Sequence, residues 1–288
     1  MKQLNLFIEL TRLTKPIGFM LLFWPCLWGL TLAYNFSLNI NNYVFYLILF
    51  FLGSVLMRSA GCIMNDILDE KFDKKVERTK NRPIASNEVS KKLGLIYVLI
   101  LCSVAFLVLI NFNLLTIALA LGSMPLAFTY PLMKRYTYWP QLFLGITFNY
   151  GLILGWSAIQ NELNIIPIIF YLGAIFWTLG YDTIYGFQDI KDDEIIGIKS
   201  TSIKFKKNPK FLLIICYTFF IACLLTIGIM MKFSNLFFIS LILSTYHLFF
   251  YQIKFLDVKI PQNCLKIFKS NNTFGLIVYV NILIGKLF

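Results

Sequence analysis

Long apolar runs alternate with short charged segments along the whole chain. A helix that crosses a bilayer needs about 20 consecutive, mostly apolar residues. Nine runs approach that length, at approximately residues 16–36, 42–64, 93–111, 113–130, 139–159, 164–184, 211–230, 233–252 and 271–287. The pattern predicts an all-α integral membrane protein with nine transmembrane helices, in which residues 1–288 form a single polytopic domain in the lipid bilayer.

The composition supports this interpretation. Hydrophobic residues make up 58% of the chain and charged residues only 14%, whereas a soluble domain has about a quarter charged residues. The net charge of +12 could indicate a nucleic-acid partner, but in an apolar chain it is better explained by Lys and Arg retained on one side of a membrane. We therefore expect no nucleic-acid binding.

The basic residues are concentrated on one predicted side. Of the 26 Lys and Arg, all but Arg58, Lys232 and Lys286 lie before the first predicted helix or in the segments that follow the even-numbered ones. An excess of Lys and Arg marks the cytoplasmic side of a membrane. We therefore expect a bacterial inner membrane protein whose N-terminus lies on the cytoplasmic side.

The acidic residues share that side, with Glu162 as the single exception. Two segments, at about 65–91 and 182–210, contain most of them, and their first aspartates, Asp66 and Asp182, are 116 residues apart. Both segments follow a helix of even number, which suggests two pseudo-repeated four-helix units plus one helix. If the helices continue through the motifs, the carboxylates of each cluster lie on one helix face, within about 60° in the first and about 40° in the second. The two sets are Asp66, Asp69 and Asp73, and Asp182, Asp189 and Asp193.

Carboxylates at a helix C-terminus meet the negative end of the helix dipole and repel one another, so a cation is expected there. Mg²⁺ prefers oxygen ligands and commonly binds through one or two carboxylates together with substrate phosphates. The two clusters thus predict a site for Mg²⁺ and a diphosphate. The alternative for Glu70, Glu77, Asp192 and Glu194 is that they are solvated partners of neighbouring lysines.

Two arginines are candidates for binding an anionic group. Arg58 lies inside an apolar helix, where a charge is costly unless it faces a partner or a polar cavity. Arg135 follows Lys134 at a helix end, where a long basic side chain can also simply extend to the membrane surface. Arginine offers a planar, bidentate grip on a carboxylate or phosphate.

Four stretches resemble one family: Lys15-Pro16-Ile17-Gly18, the run from Arg58 through Asn65-Asp66 and Asp73 to Arg82-Pro83, Tyr130-Pro131 through Lys134-Arg135, and Asp182 through Asp193. They resemble the 4-hydroxybenzoate polyprenyltransferases of the UbiA family. The resemblance implies a membrane enzyme that uses Mg²⁺ and two aspartate-rich motifs to bind a polyprenyl diphosphate, with 4-hydroxybenzoate as the acceptor, in ubiquinone biosynthesis.

The resemblance also implies roles for particular residues. The metal ligands would be Asp66, Asp69, Asp73, Asp182, Asp189 and Asp193, of which Asp66, Asp69, Asp182 and Asp189 are also expected to be catalytic. Substrate contacts would come from Asn65, Arg78, Tyr130, Lys134 and Tyr185. Either Arg135 or Arg58 would hold the acceptor carboxylate. A haem or naphthoate acceptor, or a cation-coupled carrier in place of an enzyme, is the alternative.

Overall fold

The computed structural model describes residues 2–37 and 39–288, and every regular element in these residues is helical. In chain order the elements are α1 (Lys2–Thr11), α2 (Ile17–Ala33), α3 (Ile40–Asp73), α4 (Lys91–Leu109), α5 (Leu114–Thr129), a 3-10 turn (Tyr130–Leu132), α6 (Met133–Tyr136), α7 (Pro140–Asn149), α8 (Gly151–Gln160), α9 (Ile165–Gly186), α10 (Ile190–Ile196), α11 (Thr201–Lys204), α12 (Pro209–Met230), α13 (Asn235–Thr245), a π-helix (Tyr246–Lys254), α14 (Pro261–Lys269) and α15 (Asn271–Leu287).

The predicted all-α membrane fold is confirmed. Within the described residues, eight helical stretches are long and apolar enough to cross a bilayer, and the shorter apolar helix α2 is the ninth. Four of the eight stretches are interrupted: α5 continues through the 3-10 turn into α6, α7 into α8, α13 into the π-helix, and α14 into α15. The relation between two four-helix units stays a prediction.

Helix α3 is longer than its apolar run. It has 34 residues, which corresponds to roughly 51 Å at 1.5 Å per residue, against a hydrocarbon core of about 30 Å. The helix therefore projects beyond the membrane on the side where both acidic motifs lie, called the motif side below. Its last two turns have the first acidic motif on one face: Asp66, Asp69 and Asp73 are buried.

Spanning helices approach closely where glycine replaces a side chain. A Cβ at Gly29 of α2 would overlap the carbonyl oxygen of Leu152 in α8, and a Cβ at Gly155 would overlap that of Cys26. Because lipid is as apolar as the side chains, association of membrane helices depends on such close packing. The α2–α8 contact is thus fixed by backbone shape.

Two amphipathic helices on the motif side were not predicted. Helix α1 has ten residues, too few to span, and it packs Leu6 and Leu10 against Ala60 and Ile63 of α3. Helix α14 buries a similar apolar stripe beside α9. These two helices bring further residues to the motif end of the bundle.

Candidate functional site

A cavity of about 910 Å³ lies at the motif end of the bundle, lined by residues from Glu9 to Asn272. Twelve of the thirteen residues predicted for the site line it, and Arg135 does not. The twelve are Arg58, Asn65, Asp66, Asp69, Asp73, Arg78, Tyr130, Lys134, Asp182, Tyr185, Asp189 and Asp193. The two acidic motifs, distant in sequence, therefore share one cavity.

The carboxylates of the first motif are paired with arginines. Arg12 donates a hydrogen bond of 2.6 Å from Nη2 to Asp66 Oδ1. Arg82 bridges two aspartates, with 3.1 Å from Nη1 to Asp66 Oδ1 and 2.8 Å to Asp73 Oδ2. Asp66 is 2% exposed, and burying a carboxylate is costly unless positive partners of this kind are paired with it.

Asp69 lies one turn further and has a different partner. Lys134 donates a hydrogen bond to its Oδ2, while Oδ1 is buried without a hydrogen-bond partner. Arg135 Nη2 approaches Oδ1 only to 3.8 Å and donates instead to the carbonyl oxygen of Leu68 at 2.7 Å. Lys134 and Arg135, adjacent in sequence, thus have different surroundings.

The second motif is not a continuous helical stripe, contrary to the sequence-based expectation. Helix α9 ends at Gly186, and α10 begins only at Ile190. The chain folds back on itself after Gly186: Ser202 Oγ donates to the carbonyl oxygen of Thr183 at 2.8 Å, and a Cβ at position 186 would overlap that hydroxyl. The predicted 40° face therefore does not exist, although Asp182, Asp189 and Asp193 still line the cavity.

The two motifs are joined by an ion pair across the cavity. Arg78 donates from Nε at 2.8 Å and from Nη2 to the two carboxylate oxygens of Asp189. Its guanidinium carbon also lies 5.7 Å from the ring centre of Tyr185. Burial and the nearby charge of Asp189 raise the pKa of Asp193 to about 6, so a cation bound beside this carboxylate would favour its ionised form.

Arg58 lines the same cavity and lies beside Phe148. Its guanidinium carbon is 5.4 Å from the ring centre of Phe148, and its Nε is buried without a hydrogen-bond partner. A Cβ at Gly18 would lie 2.8 Å from that Nε, so glycine at this position leaves room for the guanidinium. Arg58 is therefore a donor without a protein acceptor for its Nε.

The donor set fits a metal that binds together with a substrate. Over the described ranges 2–37 and 39–288, no three Asp, Glu, His or Cys side chains are close enough to form a metal cluster by themselves. Mg²⁺ is usually held by one or two carboxylates plus substrate phosphates and water, and that requirement matches the buried carboxylates here. The unpaired oxygen of Asp69 is one available ligand.

Two site residues were not assigned a role from the sequence. Arg82 belongs to the first motif but was not distinguished from its basic neighbours, and Arg12 lies outside both motifs. A signal existed for Arg12: it directly follows an amphipathic stretch and precedes Lys15-Pro16. Without knowing that α1 docks on α3, nothing connects it to Asp66.

The model of the UbiA prenyltransferase family matches residues 22–276. This chain belongs to the UbiA prenyltransferase family. Relatives with assigned names agree: the mitochondrial 4-hydroxybenzoate polyprenyltransferase of Homo sapiens is 42% identical over 287 residues, which are 99% of this chain and 76% of that protein. The 4-hydroxybenzoate geranyltransferase 2 of Lithospermum erythrorhizon is 41% identical over 294 residues, which cover 100% of this chain and 92% of that protein.

Solved structures of the family have the same fold. An apo UbiA homolog from Aeropyrum pernix K1 has a TM-score of 0.75 at 20% identity, over 93% of this chain and 97% of that one. A UbiA homolog from Archaeoglobus fulgidus bound to GPP and Mg²⁺ has a TM-score of 0.69 at 18% identity, over 97% of this chain and 98% of that one. The shared fold therefore extends over nearly the entire chain.

The expected location in a bacterial inner membrane is wrong by this comparison. The relatives from Homo sapiens, Bos taurus and Dictyostelium discoideum are named as mitochondrial enzymes of eukaryotes. The physical reason is that Lys and Arg asymmetry reports on which side of a membrane a segment lies. It carries no information about which membrane that is. The membrane-spanning helices themselves are confirmed.

Proposed function

We propose that this chain transfers a polyprenyl group from a polyprenyl diphosphate to the ring of 4-hydroxybenzoate, as a step of ubiquinone biosynthesis. One observation carries the proposal: two acidic motifs, four basic side chains paired with them and the partly unpaired Arg58 share one cavity. Relatives about 40% identical over nearly the full chain are named 4-hydroxybenzoate prenyltransferases. Because the cavity lining runs from Glu9 to Asn272, we propose that the chain acts as one domain.

The diphosphate half of the site contains the basic residues that now neutralise carboxylates. Arg78 is paired with Asp189, Lys134 with Asp69, and Arg12 with Asp66. When a diphosphate binds, these donors can turn from carboxylate oxygens to phosphate oxygens, which accept the same hydrogen bonds. Asn65, Tyr130 and Tyr185 line the cavity beside them and complete the expected contacts.

The carboxylates released by that exchange are the ligands proposed for Mg²⁺. They are Asp66, Asp69 and Asp73 in the first motif and Asp182, Asp189 and Asp193 in the second. Mg²⁺ bound there would neutralise negative charge that develops on the departing diphosphate. The supporting solved structure is that of a family member bound to GPP and Mg²⁺.

The chain's own residues lower the barrier by binding the leaving group. The bond between the allylic carbon and the diphosphate oxygen breaks, and Arg78 and Lys134 stabilise the negative charge that this oxygen acquires. A ring carbon of the phenol then forms the new carbon–carbon bond and loses its proton. No covalent intermediate with the protein is needed.

Arg58 is proposed to hold the acceptor carboxylate. It lines the cavity and has an unpaired Nε, whereas Arg135 lies outside the lining and donates to Leu68. Between the two arginines that the sequence left open, the packing favours Arg58. A guanidinium binds a carboxylate with two parallel hydrogen bonds, which would orient the ring.

The test is prenyl transfer in washed membranes that contain this protein, with labelled 4-hydroxybenzoate and a polyprenyl diphosphate. A labelled lipid product that disappears on chelation of Mg²⁺ and returns when Mg²⁺ is restored is the expected result. Product from a haem or naphthoate acceptor, with none from 4-hydroxybenzoate, would contradict the acceptor only. No transfer to any of the three acceptors would contradict the proposal as a whole.

A further inference from the structure

Some polar atoms lining the cavity have no partner in the protein. Among the described residues, three cavity-lining side chains contain a buried polar atom without a hydrogen bond: Arg58 Nε, Asp69 Oδ1 and Tyr181 Oη. Asp69 belongs to the proposed metal and diphosphate half. The other two atoms belong to groups that can donate a hydrogen bond, and the proposed function leaves Tyr181 without a role.

Tyr181 is held rigidly. It lies on α9 and is 1% exposed, and its ring packs edge-on against Trp177, with 4.8 Å between the ring centres and an angle of 72°. Trp177 is itself fixed by a hydrogen bond of 2.8 Å from Nε1 to Asn271 Oδ1. The ring of Phe268 lies on another side, 5.8 Å from that of Tyr181. The Tyr181 ring therefore has little freedom to carry its hydroxyl to another protein acceptor.

A buried hydroxyl without a partner destabilises a protein, because it loses hydrogen bonds to water and gains none. A phenylalanine ring would fill the same space without that penalty. The hydroxyl of Tyr181 forms no hydrogen bond in the described structure. Thr178, the polar side chain beside it on α9, accepts from Asn149 Nδ2 at 2.7 Å instead. A ligand that supplies an acceptor atom would satisfy it.

We infer that the Tyr181 hydroxyl donates a hydrogen bond to the carboxylate of the aromatic acceptor and shares that carboxylate with Arg58. This inference rests on the proposed function. A carboxylate offers about four lone-pair positions, of which a bidentate guanidinium occupies two. A desolvated carboxylate needs its remaining positions filled, and Tyr181 is a buried donor in the lining of the same cavity. Tyr181 is therefore a binding residue that selects acceptors with a carboxylate.

The decisive variant is Tyr181→Phe, tested with the full-length protein in detergent. Binding of labelled 4-hydroxybenzoate is measured by equilibrium dialysis, with benzoate and phenol as unlabelled competitors, so no turnover is needed. Hydrogen bonds to charged groups are strong enough to change affinity by about tenfold or more. We expect the variant to bind 4-hydroxybenzoate and benzoate about tenfold more weakly and phenol equally well, since phenol has no carboxylate.

Tyr43→Phe is the matched control. Tyr43 is also buried and lies near the start of α3, at the end of that helix away from the acidic motif. Unlike that of Tyr181, its hydroxyl is hydrogen-bonded to Thr31 Oγ1 at 2.9 Å. We expect Tyr43→Phe to lower the melting temperature and leave benzoate binding unchanged. Tyr181→Phe should not lower the melting temperature of the protein without ligand, because its hydroxyl forms no hydrogen bond within the protein.

Three results would overturn the inference. Unchanged benzoate binding in Tyr181→Phe would show that the hydroxyl does not contact the carboxylate. A loss of melting temperature as large as that of Tyr43→Phe would show that the hydroxyl has a structural partner. Absence of 4-hydroxybenzoate binding in the wild-type protein would contradict the proposed acceptor itself, and the inference with it. A failure of the proposed function is therefore seen in the wild-type protein, whereas a failure of the inference alone is seen only in the variant.

Discussion

Arg12 and Asp66 are 54 residues apart in sequence, yet Nη2 of one donates to Oδ1 of the other over 2.6 Å. Arg12 has a φ of 53°, in the left-handed region, at the turn between the amphipathic helix α1 and the first spanning helix. The same Asp66 oxygen also accepts from Arg82 at 3.1 Å. The oxygen proposed to bind a cation therefore accepts hydrogen bonds from two guanidinium groups of the protein itself.

Replacing Arg12 should raise the affinity for Mg²⁺ and lower the affinity for the polyprenyl diphosphate. In Arg12→Gln, Mg²⁺ alone should bind more tightly, because one positive charge no longer competes for Asp66. The polyprenyl diphosphate should bind about tenfold more weakly, because a charged donor is lost. Titration with Mg²⁺ in the absence of diphosphate, and KM for the diphosphate, measure the two effects. Lys75→Gln removes an exposed charge of the same motif and should change neither the Mg²⁺ affinity nor KM for the diphosphate. If Arg12→Gln bound Mg²⁺ with the same affinity as the wild-type protein, the proposed exchange of Arg12 from Asp66 to the diphosphate would be wrong.

Asp69→Asn or Asp189→Asn should reduce turnover by at least about a hundredfold while the protein stays folded in the membrane. Each change removes a carboxylate proposed to bind Mg²⁺ and leaves a side chain of similar shape. The rate of labelled product formation and the amount of membrane-inserted protein are the measurements. Glu77→Gln, at an exposed acid of the same segment that pairs with Lys80, is the control. Substantial activity in either aspartate variant would rule out its proposed role.

Arg58→Gln and Arg135→Gln should separate the two candidates for the acceptor carboxylate. Arg58 lines the cavity, so its replacement should raise KM for 4-hydroxybenzoate by about tenfold or more and leave KM for the diphosphate nearly unchanged. Arg135 donates to a backbone carbonyl instead, so its replacement should leave KM for 4-hydroxybenzoate within about twofold. The reverse ranking in steady-state kinetics would assign the carboxylate to Arg135.

Gly29→Ala should destabilise the bundle, because the added methyl overlaps the backbone of Leu152. Overpacking of this kind costs about 1–3 kcal/mol, and backbone atoms cannot move aside as a side chain can. The melting temperature in detergent is the measurement. Gly53→Ala is the control, since nothing lies within 4 Å of a Cβ at that position. Equal melting temperatures for the two variants would contradict the close α2–α8 contact.

Much of this protein could be predicted because the relevant information is local. Each spanning helix satisfies its own backbone hydrogen bonds in lipid, so the length and polarity of a run are enough to predict it. The same locality explains the first motif: residues 66, 69 and 73 share a face in any α-helix, and α3 buries all three. The chemistry of the site followed from the residue types in these runs.

The second motif shows where local reasoning stops. The spacing of Asp182, Asp189 and Asp193 also suits a helix face, but α9 ends at Gly186 because the following segment folds back onto α9. The contact joins Ser202 to Thr183, and helix periodicity does not predict contacts between residues 19 apart in sequence. Only packing placed the three carboxylates in one cavity.

The sequence by itself determined the nine helices, the side that the two acidic motifs share and the family. The tertiary structure decided which charges meet. It paired Arg12 with Asp66 and Arg78 with Asp189, placed Arg58 in the cavity lining and Arg135 outside it, and left Tyr181 without a partner. The physical reason is that helix formation depends on neighbours within four residues, whereas an ion pair or an unsatisfied hydroxyl depends on how distant helices pack.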